Sequence, residues 1–256
     1  MTTKNTYNLV VGASGGIGYA LSKLLEQSES DVGLISVSRS AQIDGLKSQH
    51  FCYHPDIGDP NTSNADNLEK EVERCVDSMK ETIGESLAIR RIFIAIGTLH
   101  SESYQPEKRI EELTATAAIQ IQMINALLPI IWAKHLWKLC ERSSPTKIVF
   151  ISARVGSITD NRLGGWYSYR ASKASLNMFV KTLSIELARR AKHISLLAVH
   201  PGTVDTGLSK PFQQRVPSGK LFTAEQSAEY MVTEVDKRAH STDAQFIDWQ
   251  GETVPW

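Results

Sequence analysis

The chain is poor in cysteine, with only Cys52, Cys75 and Cys140 among its 256 residues. They lie far apart, without a CxxC pair or a paired histidine spacing, which argues against a metal site and against a disulfide framework, and fits a reducing cytoplasm. Net charge is also missing: 28 Lys and Arg balance 28 Asp and Glu, and the cations are scattered. That argues against nucleic acid or an anionic membrane surface as the main partner. Long hydrophobic runs are absent as well. The longest, MINALLPIIWA from Met123, is too short to span a bilayer and contains Asn125. The N-terminal MTTKNTYNLV lacks a charged and then apolar leader, so export is not expected. There is no internal repeat and no low-complexity tract, and the even composition implies one domain over residues 1–256.

What the chain does have is strand-like and helix-like patterns in alternation. Tyr7 to Val11 is a short β-prone run that stops at GASGGIG, where Gly12, Gly16 and Gly18 are spaced GxxxGxG. Gly15 also permits a GxxGxxG frame, and Ser14 and Ile17 lie within the turn. Ile17, Ala20, Leu21, Leu24 and Leu25 then recur at helical period. A strand, a glycine turn and a helix let a pyrophosphate approach the backbone while the free amides and positive helix end attract its charge.

The second strand, Val32 to Val37, runs into Ser38 and Arg39. A carboxylate at that place would accept from a ribose 2′-hydroxyl; a small residue followed by an arginine fork suits a 2′-phosphate, so NADP(H) is expected rather than NAD(H). His50 to Tyr53 reads as a third strand, after which Asp56 could accept from an adenine amino group. Ile92 to Ile96 is a continuous apolar run ending in Gly97, as a central parallel strand requires. Lys147 to Ile151 and Ile194 to Val199 are further strands, and Phe246 to Trp249 closes the series. Thr223 is a plausible cap for the last helix. The alternation implies an α/β fold of Rossmann type: a doubly wound parallel sheet of about seven strands covered on both faces. Ligands bind at the carboxyl ends of such strands.

A long helical pattern covers about Ile110 to Cys140, and Pro129 within it has no N–H to offer the carbonyl of Asn125. A kink is expected there, exposing a carbonyl that could hold a water. Tyr169 and Lys173 stand one helical turn apart after Gly164-Gly165, on a shared helix face. A neighbouring ammonium favours the phenolate, which makes the pair a candidate acid/base centre. Residues 207–222, polar and rich in Gly and Pro, are the candidate substrate lid. It mixes Leu208, Phe212, Val216 and Leu221 with Lys210, Arg215 and Lys220, which fits a medium-sized apolar substrate.

Taken together, VVGASGGIG, Asp56-Ile57, Asn125, YRASK and HPGTVDT in this order resemble the short-chain dehydrogenase/reductase family over essentially the whole chain. GSITDNRLGGWYSYRASKASLNM and IDWQGETVPW resemble more narrowly its carbonyl-reductase branch of sniffer and C-factor proteins. The resemblance implies a cytoplasmic NADPH-dependent oxidoreductase acting on a small carbonyl or alcohol, assembled as a dimer or tetramer. Tyr169 would donate the proton; Lys173 would lower its pKa and hold the nicotinamide ribose. Asn125 would order a relay water through its main chain. Val204 and Thr206 would hold the carboxamide, beside Pro201 and Gly202, and Ile94-Ala95-Ile96-Gly97 stands where the family has NNAG.

The family's carbonyl-polarising serine falls on Ala153. Ser152, one residue earlier, is the first candidate to replace it and Ser157 the second. That displacement motivates an alternative, a nucleotide-binding sensor with weak or no turnover.

Overall fold

The computed structural model describes residues 6–28, 31–55, 65–84 and 87–256. Seven strands form one sheet: β1 (Thr6–Val11), β2 (Gly33–Ser38), β3 (Gln49–Cys52), β4 (Ala88–Ile94), β5 (Thr146–Ile151), β6 (Ile194–His200) and β9 (Gln245–Asp248). Their order is β3-β2-β1-β4-β5-β6-β9, and every pairing is parallel. Two short strands, β7 (Thr203–Val204) and β8 (Leu221–Phe222), pair separately beyond β6.

The central strands are apolar on both faces because helices cover both. On one face Leu9, Ile92, Ile148, Phe150 and Leu196 pack with Val72, Trp132 and Leu176. These come from α2 (Ala65–Ile83), α3 (Ala115–Leu139) and α4 (Tyr167–Arg190). On the other, Val10, Phe93, Val149 and Val199 pack with Leu21 and Leu25 of α1 (Gly16–Ser28) and Met231 of α5 (Ala224–Lys237). The start of α5 is capped as its sequence suggests: the Thr223 hydroxyl accepts from the Gln226 N–H, and the Gln226 side chain accepts from the Thr223 N–H.

Two elements differ from the pattern in the sequence. β4 covers Ala88–Ile94 rather than Ile92 to Ile96. Its first half is hidden in the sequence by Arg90 and Arg91; Arg91 is buried, and its guanidinium meets Asp236 at 2.9 Å. Ala95 and Ile96 are thereby released from the strand. In α3 the irregularity falls just before Pro129, as a π turn over Met123–Leu127 in which the Leu128 N–H donates to Met123 O. By length and composition α3 is apolar enough to cross a membrane. Its Ala126, Leu128, Trp132, Ala133 and Leu136 are instead buried against the sheet.

Candidate active site

The strand order reverses between β1 and β4, and a crevice opens there at the carboxyl ends. The turn after β1 is held on both sides: the Gly12 and Ala13 N–H groups donate to Val37 O at 2.8 and 3.0 Å, and the Ala95 N–H donates to Val11 O at 2.8 Å. Gly12 has φ +89°, and a Cβ there would lie 2.6 Å from Ala95 O. A Cβ on Gly18 would meet Gly12 O at 2.1 Å. No side chain fits at either position, so the backbone itself forms the cradle.

A cavity of about 500 Å³ extends from this turn. It brings together Gly15, Gly16, Ile17 and Gly18 with Ala95, Ile96 and Gly97 after β4. Ser152, Tyr169 and Lys173 line it further along, and Pro201, Gly202, Val204 and Thr206 close it from the β6 side. The expected lid contributes Gly207, Leu208, Ser209, Phe212 and Val216. Gly12 supports this lining from behind, and Ser14 is exposed on the turn. Ser38 is buried at the end of β2, where its hydroxyl accepts from the Ser40 N–H, and this turn leaves Arg39 exposed. Asp56 and Ile57 lie outside the described residues.

Tyr169 and Lys173 sit in the first turns of α4, both buried. Lys173 Nζ donates to Ile151 O at 2.9 Å and stands 6.0 Å from the centre of the Tyr169 ring. Burial pushes the Lys173 pKa down to about 8 and the Tyr169 phenol above its ordinary value. Desolvation disfavours both charged forms. At neutral pH the phenol keeps its proton.

Asn125 stands one layer behind, fully buried in the π turn of α3. Its Oδ1 accepts from the Thr98 N–H at 2.7 Å, while Nδ2 donates to Thr98 O at 2.8 Å and to Ser172 Oγ at 3.0 Å. The Ser172 hydroxyl in turn donates to Tyr169 O at 2.8 Å. The side chain thus ties the segment after β4 to the helix that carries the phenol, leaving only its main chain for any contact with water.

Ser152 lines the cavity, but its hydroxyl already has a partner. The Ser152 N–H still donates to Val199 O at 2.9 Å, so strand alternation continues past Ile151. Its hydroxyl donates to Asn177 Oδ1 at 2.6 Å, on the α4 side, which commits the hydrogen a carbonyl would need. Ala153, on the alternate face, packs with Leu99 and Tyr169. Ser157 is buried, and its hydroxyl accepts from the Asp160 N–H at 3.1 Å.

Several residues of the site escaped the sequence reading. Thr98 grips Asn125. Trp166 packs edge-on against Tyr169 with ring centroids 6.1 Å apart. His200 lines the cavity with its Nδ1 buried and unpartnered, and burial lowers its pKa to about 4. The Gly164-Gly165 pair before Trp166 and the Pro-Gly step after His200 are the local signals of a forced backbone course at both places.

The chain is 31% identical over 133 residues to the C-signal protein of Myxococcus xanthus, covering 52% of this chain and 75% of that one. Its fold is similar to that of the carbonyl reductase Sniffer of D. melanogaster, with a TM-score of 0.77 at 22% identity over 99% of each chain. An NADPH-bound carbonyl reductase from chicken fatty liver also gives a TM-score of 0.77, at 19% identity over 98% of this chain and 94% of that one. Residues 7–217 match the family described as short chain dehydrogenase, and the chain belongs to that family.

Proposed function

We propose that the chain is an NADPH-dependent oxidoreductase that interconverts a carbonyl compound and its alcohol, with Tyr169 moving the proton. The observation that carries this reading is a buried phenol beside a buried lysine, in one cavity with a side-chain-free glycine cradle. NADPH, when bound, supplies the hydride. The residues fit such a cofactor. Gly15, Gly16 and Gly18 offer bare backbone to a pyrophosphate, and Ser38 with Arg39 suits a 2′-phosphate. The chicken enzyme of the same fold is NADPH-bound, which supports the phosphorylated cofactor. In this reading Val204 and Thr206, which line the same cavity, hold the carboxamide, and Lys173 holds ribose hydroxyls.

The Tyr169 O–H donates to the substrate oxygen as that oxygen gains charge. Its raised pKa suits reduction, which begins from the protonated phenol. The reverse oxidation begins from the phenolate and is favoured at higher pH. With Ala153 in place of a hydroxyl donor, Tyr169 carries this oxygen without a serine. That same feature favours a second reading, a nucleotide-binding sensor with little turnover. Three free cysteines fit a reducing cytoplasm, and exposed Ile119, Met178 and Ile185 on α3 and α4 fit a homo-oligomer.

Mixing the purified protein with NADPH and a panel of activated ketones and aldehydes, while following reduced-nicotinamide absorbance, separates the two readings. Carbonyl-dependent oxidation is the expected result. Tight NADPH binding with no oxidation above background for any carbonyl would establish the sensor instead.

A further inference from the structure

Residues 164–166 form an unusual run of left-handed backbone, with φ of +64°, +66° and +52°. The first two are glycines, which adopt such angles freely. The third is Trp166, which among the described residues is the single non-glycine at positive φ. A third glycine would fit without strain, so the backbone alone does not account for an indole there. The strained angle is held from several sides. The Trp166 N–H donates to Glu107 O, the Ser168 N–H donates to buried Glu107 Oε2 at 3.2 Å, and the Arg170 N–H donates to Trp166 O at 2.8 Å.

This clamping delivers the indole to the cavity. Its ring lies edge-on between Tyr169 and Phe212 of the lid, with centroids 6.1 and 5.3 Å away. Phe212 is fixed in turn by the ring of His100, 5.8 Å away, whose Nε2 donates to Gly207 O at 3.1 Å. Leu99, Val155, Leu208 and Val216 complete the wall around these rings. Of the cations in the lining, Arg154 is paired with Asp160 at 2.6 Å and Lys173 donates to Ile151 O at 2.9 Å. The wall therefore offers aromatic edges and faces beside the phenol, and both cations of the lining already have partners.

We infer that Trp166 and Phe212 form an aromatic clamp that selects uncharged ketones and aldehydes bearing a flat aromatic ring close to the carbonyl. The inference rests on the carbonyl-reductase reading and names the substrate class of that same site. A flat ring gains edge-to-face contacts from both aromatic walls that a puckered ring of equal carbon count does not.

Phenylacetone and cyclohexylacetone test this, because their carbonyls are equally unconjugated and their rings differ in flatness. With NADPH, kcat/KM for phenylacetone is expected to exceed that for cyclohexylacetone about tenfold, the scale on which apolar pockets discriminate. The ratio is expected to fall below about threefold in both Trp166→Leu and Phe212→Leu. A ratio near one in an active wild-type protein, or a ratio unchanged in both variants, overturns the clamp. Binding of 1-phenyl-2-propanol and 1-cyclohexyl-2-propanol to the NADP⁺-loaded protein, measured by calorimetry, reads the clamp without turnover. Tighter binding of the phenyl alcohol, lost in both variants, supports the clamp even where no ketone is reduced and the carbonyl-reductase reading itself fails. Equal binding of the two alcohols overturns it.

Discussion

The two ends of the cleft are made of different materials. At the glycine turn, β1, β2 and β4 meet through main-chain hydrogen bonds, and added side chains at Gly12 and Gly18 would collide with backbone carbonyls. At the Tyr169 end, buried side chains do the positioning: Asn125, Ser172 and Glu107 tie α3 and the segment after β4 to α4. A phosphate-bearing cofactor common to many proteins calls for fixed backbone, whereas a reacting carbonyl calls for particular side chains at particular depths. Substitutions should therefore separate into effects on cofactor choice at one end and on stability and turnover at the other.

The largest effect is expected from Asn125→Leu. It leaves the Thr98 N–H and carbonyl without partners and frees Ser172. Urea denaturation should show a loss of about 4 kcal/mol, with the cofactor preference unaltered. A loss below about 1 kcal/mol would mean that the chemical end does not depend on that amide.

Lys173→Met should act with the opposite sign. The wild-type lysine titrates near 8 in the fold against an ordinary 10.5, so the unfolded chain binds the extra proton between those values. The penalty for burying the charge is full below pH 8 and fades as pH rises through 10.5. After the lost bond to Ile151 O, the variant should gain about 2 kcal/mol at neutral pH, and the gain should shrink in alkaline solution. A gain independent of pH would disconnect it from the ammonium.

Arg39→Asp acts at the other end. Dissociation constants for NADPH and NADH should shift against the phosphorylated form by about tenfold to hundredfold, the scale of a charge-assisted hydrogen bond. Unfolding should hardly change, since Arg39 is exposed. An unaltered ratio of the two constants would remove Arg39 from the site.

Ala153→Ser is expected to have the smallest effect. It adds a hydroxyl beside Tyr169 and should raise kcat about tenfold by offering a second donor to the developing oxyanion. An unchanged kcat would show that the alternate face of this segment does not reach the reacting oxygen.

The difference between the ends also decides what could be read in advance. Glycine spacing and apolar runs are local signals, so the cradle, the Tyr169–Lys173 turn and the parallel sheet were legible. β4 was misplaced because the charge on Arg91 is compensated by Asp236, 145 residues away. The choice between Ser152 and Ser157 depended on how far strand alternation persists past Ile151, which a tertiary hydrogen bond from Ser152 to Val199 determines. The burial of Tyr169 and Lys173 was not legible because spacing on a helix says nothing of burial. Trp166 was invisible as a wall because Glu107 and Phe212 reach it across long stretches of chain.

The most direct measurement is a paired one on Tyr169→Phe: NADPH affinity by fluorescence, and the single-turnover rate of hydride transfer to a ketone that the wild-type protein reduces. The account predicts affinity within about twofold of wild type, because the phenol is not needed to bind the cofactor, and a rate lower by about three orders of magnitude. A rate within about tenfold of wild type would mean that the proton comes from elsewhere, contradicting the assignment on which the proposed chemistry rests.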